Sequence, residues 1–310
     1  MFKLISSLRS YFPLWRYYFW DLPLWTMGCR SDQRWSRMKL TFHDETENIR
    51  YSLQSFFKNK KTTVDLEQMV ERALLNKVAR NGDAFACLNL TPNNIGKKIK
   101  VSGLEHLQEA ITQQRPIVLL TGHIGSFYTI PLILTQLGIK VNPLARTVDS
   151  SVNNPLPQQF FEKCNYFFTE LKMSGSYLYT SFSNKPDKRL VTTCKTGGIL
   201  LVLIDFPRRL VPSGRSSVQF LGEQSSLPVR TVELGVKYNA IFLTVWNTIE
   251  TSSDFSSKRH LQVGPVIANT GGVKRISQAY ADCLSEVIMQ QPWQWMGASI
   301  IDQFKENDLK

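Results

Sequence analysis

Three side chains in this sequence pair reactive chemistry with a position at the end of an apolar run: His123, Arg146 and Asp205. Histidine has an ordinary pKa close to neutrality, so it can take a proton from an acceptor group at physiological pH, provided that a second group orients its ring. Arginine offers a permanent, forked cation that matches anionic groups. A carboxylate balances the charge an imidazole gains when it accepts a proton.

The runs before each of these residues are the elements that must position them. Residues 117–120 are four consecutive apolar residues between Pro116 and Gly122, the pattern of a parallel strand buried on both faces. Thr121-Gly122-His123 follows, and Ser126 is placed to cap a helix over residues 127–137 despite Pro131 in its second turn. Residues 139–146 read as a second strand, left through Arg146-Thr147-Val148-Asp149, and residues 199–204 as a third, ending at Asp205. A further strand is expected over 240–246 and an edge strand over 261–266. Strand ends of a parallel sheet converge on one rim, where open α/β sheets hold their ligands.

Helical patterns fill the rest. Two lie between residues 44 and 86, a capped helix is expected in SGLEHLQEAITQQRP, and others span 155–168, 229–238 and 273–290. His106 falls in the capped helix as a surface or packing residue. The small, polar stretch 174–184 is left open between loop and imperfect helix. Residues 206–227, with Arg208, Arg209 and Arg215 around Pro212 and Gly214, have the composition of an active-site loop. The fold class expected is α/β, a mostly parallel central sheet flanked by helices, as one domain over 41–310 behind a separate segment, 1–40.

That first segment holds Trp15, Trp20, Trp25 and Trp35 among tyrosines and phenylalanines. Lys3, Arg9, Arg16 and Asp21 interrupt it, so it is read as an interfacial helix or helical hairpin on an anionic membrane, or else as a docking segment on the domain's own core. The charge agrees with an anionic partner: 37 basic against 25 acidic side chains give +12. Nucleic acid is not expected, for no zinc-finger or helix-turn-helix pattern accompanies the charge. Cys29, Cys87, Cys164, Cys194 and Cys283 show no paired spacing, and the histidines no metal spacing, so neither a disulfide framework nor a metal is expected.

The order of these blocks resembles the bacterial lipid A late acyltransferases, the lauroyl and myristoyl transferases of the wider glycerolipid acyltransferase group. VSGLEHLQEAITQQRPIVLLTGHIGSFYTIPLIL is similar to that family's central block and PLARTVDSSVNNPLPQQFF to its second. LLVLIDFP and VQFLGEQSSLPVRTVELGVKYNAIFLTVW resemble the third and fourth, and PWQWM the terminal aromatic signature. The resemblance implies transfer of a fatty acyl group from an acyl thioester, on acyl carrier protein or CoA, to a hydroxyl or amine of a lipid or metabolite. The enzyme would be peripheral, on the cytoplasmic face of the inner membrane, with no cofactor beyond the thioester co-substrate.

By the same resemblance His123 is the base that deprotonates the acceptor, and Asp205 supports the site or binds the acceptor. Arg146 holds an anionic group, while Arg208 and Arg209 meet a phosphate or the carboxylates of a carrier protein. The backbone N–H groups of Gly125 and Ser126 are placed to stabilise an oxyanion. Tyr128, Asp149 and Gly222, the last within the Phe-x-Gly of the fourth block, complete the expected substrate-binding set. One position departs from the family. The pattern is histidine, four residues, then an acid, and here the last place is Tyr128. Either another acid takes over, Asp149 and Asp205 being nearest on the rim, or the chain is slow, specialised, or a lipid-binding homologue without turnover.

Overall fold

The computed structural model describes residues 45–58, 65–70, 90–146, 172–180, 188–250 and 258–298, with single positions at 72, 73, 76, 80, 83, 89 and 304. The strands are β1 (Ile99–Ser102), β2 (Ile117–Thr121), β3 (Asn142–Arg146), β4 (Leu178–Thr180), β5 (Ile199–Leu203), β6 (Arg215–Phe220), β7 (Glu223–Pro228), β8 (Ile241–Glu250) and β9 (Lys258–Val263). The helices are α1 (Glu45–Phe57), the single turn α2 (Ile95–Lys98), α3 (Leu104–Thr112), α4 (Ile130–Gln136), α5 (Lys188–Lys195), α6 (Arg230–Lys237) and α7 (Gly272–Gln290). The expected segment 1–40, the helix over 155–168 and Asp149 lie outside the described residues.

Seven strands form one sheet in the order β1-β9-β8-β2-β5-β3-β4, parallel throughout except between β8 and β9. The uncharged run before Thr121 takes a central place because both its faces are covered. Val118 and Leu120 join one core cluster with Leu200, Phe242 and Tyr280 of α7; Ile117 and Leu119 join the other with Leu107 of α3 and Ile133 of α4. Each such side chain contributes roughly 1.5–3 kcal/mol on leaving water.

Register then fixes the rim. Thr121 pairs with Leu203, and β3 meets β5 through Asn142↔Leu200 and Pro143↔Leu201, so β2, β5 and β3 run out on the same edge. His123, Asp205 and Arg146 follow or close those strands, as expected from the sequence.

Five expectations are corrected. Residues 206–227 are not one loop: Arg215–Phe220 and Glu223–Pro228 form an antiparallel hairpin, closed by Leu221 and Gly222 at φ 54° and 85°. A two-residue turn with both residues left-handed matches strand twist, which is why glycine stands at 222. The strand over 258–263 is interior, because β1 covers its far side. Residues 178–180 are a strand, paired with β3 by a register too short to show in sequence. Ser126 caps no helix: a 3-10 turn, Phe127–Thr129, precedes α4, whose first turn contains Pro131. The helix after β1 likewise lacks a side-chain cap, since Ser102 Oγ bonds His260 Nε2 at 2.8 Å.

An ion pair ties the N-terminal helical positions to the sheet. Arg259 on β9 donates through Nε to Asp83 Oδ2 at 2.6 Å and through Nη2 to Oδ1 at 2.7 Å, both side chains at most 5% exposed. Removing one partner strands the other charge in the interior. Arg259→Met is expected to lower unfolding free energy by about 3–5 kcal/mol in urea titration, and the double change Asp83→Leu with Arg259→Met to recover most of it.

Candidate active site

Beyond β2 the chain turns sharply through Gly122, and the His123 N–H donates to Asp205 Oδ2 at 2.7 Å. The same carboxylate reaches the ring: His123 Nδ1 and Asp205 Oδ1 are 2.7 Å apart. A third donor, the Trp295 indole Nε1–H, meets Oδ2 at 3.0 Å. The carboxylate is fully buried while the imidazole keeps 23% of its surface exposed. With Oδ2 taken by two N–H donors, Oδ1 is left to face Nδ1, which fixes the edge of the ring that is turned to the acid.

The ring is held on its flanks too. Phe127 lies edge-on at 5.0 Å between centroids and Phe206 at 4.8 Å. Tyr280 donates its hydroxyl to the Thr121 carbonyl at 2.7 Å, fixing the strand end. Burial, followed by the charge of Asp205, holds that phenol well above its ordinary pKa, so it stays a neutral donor.

The segment at the end of the organised chain clamps the loop from the other side. Ile124 and Trp295 form an antiparallel bridge, Met296 N–H donates to the His123 carbonyl at 2.9 Å, and Gly125 N–H donates to the Gln294 carbonyl at 3.0 Å. Gln294 is buried and pairs its amide with the backbone of Ile249, Nε2 to the carbonyl at 2.7 Å and Oε1 from the N–H at 2.8 Å. Asn247 on β8 accepts the Ser126 N–H at 2.8 Å and donates its side chain to Thr129 Oγ1 at 2.7 Å.

This geometry changes the expected set. The N–H groups of Gly125 and Ser126 are spent on Gln294 and Asn247, and the Ser126 hydroxyl donates to Asp83, so both residues are buried parts of the loop's frame and not an oxyanion site. Tyr128 stacks on Phe127 with centroids 3.9 Å apart; the orienting nitrogen of His123 is taken by Asp205 instead. Gly222 occupies the hairpin turn. Arg146 closes β3 on the rim, and Arg208 and Arg209 sit exposed in the turn after Pro207, next to the Phe206 that touches His123. Arg215 lies half-buried behind that turn, donating to the carbonyls of Phe206 at 2.8 Å and Val211 at 2.7 Å. Burial, then the charge of Arg208, pushes its guanidinium down to about 10. Among the described residues no group of three His, Cys, Asp or Glu is placed to hold a metal ion.

The family model that matches residues 32–305 is that of the bacterial lipid A biosynthesis acyltransferases. The chain belongs to that family. It is an acyltransferase of lipid biosynthesis, transferring an acyl group to a lipid. Comparison with curated proteins gives no match. The match covers nearly the whole chain, including the helical positions before residue 101.

Sequence reasoning missed Asp83, Asn247 and Gln294, whose partners lie far along the chain, and saw Trp295 only as part of an aromatic signature. Gly125 is the sharpest test of the frame. At φ 55°, a Cβ there would stand 2.2 Å from the Asn247 carbonyl oxygen, a backbone atom that cannot yield. Gly125→Ala is expected to cost at least about 2 kcal/mol, read as a lowered Tm, and to take activity with it.

Proposed function

We propose that this acyltransferase moves a fatty acyl chain from an acyl thioester to a hydroxyl or amine of its lipid acceptor, with His123 as general base and Asp205 as its charge partner. Nε2 of His123 takes the proton of the acceptor, whose oxygen or nitrogen attacks the thioester carbonyl. The tetrahedral intermediate collapses with cleavage of the C–S bond, and the imidazolium returns its proton to the departing thiolate. Asp205, held in place by its N–H donors, keeps Nδ1 protonated and balances the transient positive charge.

The observation that carries this reading is the bond between His123 Nδ1 and the buried Asp205 carboxylate. It offers the histidine a negative partner that residue 128 does not supply, which favours turnover over a binding homologue without it. Arg146, Arg208 and Arg209 are the cations for phosphate groups of the acceptor or donor, or for carboxylates of a carrier protein; acyl carrier protein and CoA are the candidate donors. Asp149, on the same side of the sequence motif as Arg146, would pair with or orient that arginine. The aromatic and basic segment 1–40 would hold the enzyme on an anionic, cytoplasmic membrane face. Among the described residues no helix is long and apolar enough to cross a membrane.

Full-length protein given acyl-carrier thioester and a phosphorylated lipid acceptor is expected to release free thiol and acylated lipid. His123→Ala should abolish this, and Asp205→Asn should lower kcat by up to about 10⁴, the loss seen when the histidine of a serine-protease triad loses its carboxylate. Tyr128→Phe should stay within a few-fold of the parent. Turnover unaffected by His123→Ala would sink the mechanism. Separately, deletion of residues 1–40 should weaken co-sedimentation with vesicles containing anionic lipid, the more so at low salt.

A further inference from the structure

We propose that Trp295 is a positioning residue of the reaction, its indole N–H completing a chain, Trp295–Asp205–His123, that sets both the basicity and the angle of the imidazole. Asp205 Oδ1 is committed to the ring, and Oδ2 receives two donors, the His123 N–H at 2.7 Å and the indole N–H at 3.0 Å. The backbone donor would survive any side-chain change. The indole is the part that sequence can vary.

An N–H bonded to Oδ2 draws carboxylate charge away from Oδ1, so an imidazolium at His123 is held less tightly than by a carboxylate without that donor. It also fixes the carboxylate plane, because Oδ2 cannot swing without losing two bonds. Trp295 is buried among Phe220 and Phe304, at 5.7 and 5.5 Å between centroids, with Gly297 leaving room for the six-membered ring of its indole. Its one polar atom is on the acid. The neighbouring bonds, Met296 N–H to the His123 carbonyl and the Ile124–Trp295 bridge, hold the base and the donor to its acid as one piece.

The consequence for turnover rests on His123 acting as the base; the effect on its titration does not. The test is therefore an NMR titration of the His123 ring in the full chain, assigned against His123→Ala, in the parent, Trp295→Phe and Phe304→Leu proteins. Trp295→Phe is expected to raise the midpoint by about 0.5 pH unit or more and to lower kcat/KM at neutral pH about tenfold with KM for the thioester little changed. Phe304→Leu, which loosens the same packing and leaves the N–H in place, should lower Tm and not move the midpoint. An unmoved midpoint in folded Trp295→Phe, or an equal shift in Phe304→Leu, overturns the proposal. Should Trp295→Phe not fold, the indole N–H resonance of the parent decides: it is expected to shift through the same midpoint as the His123 ring, and an indole signal indifferent to that titration overturns the proposal as well.

Discussion

A single buried carboxylate organises the functional end of this molecule. A charge without water is costly, and Asp205 is tolerable only because N–H donors converge on it from three directions: the backbone after β2, the imidazole of His123 and the indole of Trp295. Those donors come from chain segments 82 and 90 residues away from it. Satisfying the acid therefore draws together the end of β2, the end of β5 and the segment after α7, and the site is a by-product of that convergence.

The rest of the frame serves the same loop. Gln294 and Asn247 take up the N–H groups of Gly125 and Ser126, Arg215 holds the Phe206 carbonyl, and the Asp83–Arg259 pair receives the Ser126 hydroxyl. Each bond is modest by itself. Together they hold the loop around His123, whose imidazole stays partly exposed. A loop held this way loses little entropy when substrate arrives, which is how a positioned base contributes to rate.

Much of this was legible in sequence because it is local. Continuous apolar runs ending in His123, Arg146 and Asp205 fixed the strands and their common rim, since a parallel sheet needs nothing more than uncharged runs and crossover helices. The hairpin after Asp205 was misread because its arginines and serines mask a weak alternation of Val218 and Phe220, and its Leu-Gly turn is not one of the strong hairpin signals. The carboxylate partner of His123 was open between two acids for a different reason. Spacing in sequence bears only on contacts within a loop, and the contact that matters spans two strands. Ser126 was misjudged in the same way: a hydroxyl before a helix suggests a cap, but a buried acid from another helix competes for it.

The resemblance places an acid at the fifth position after the histidine; in the proposed mechanism that part falls to Asp205, beyond the neighbouring strand, while Tyr128 packs on Phe127. The most direct measurement of that claim is the low-field proton resonance of the His123 Nδ1–H in full-length protein at a pH where the ring is neutral. A resonance shifted far downfield, retained in Tyr128→Phe and lost in Asp205→Asn, is the result this structure requires. A resonance that survives Asp205→Asn, or that vanishes with Tyr128→Phe, would contradict it.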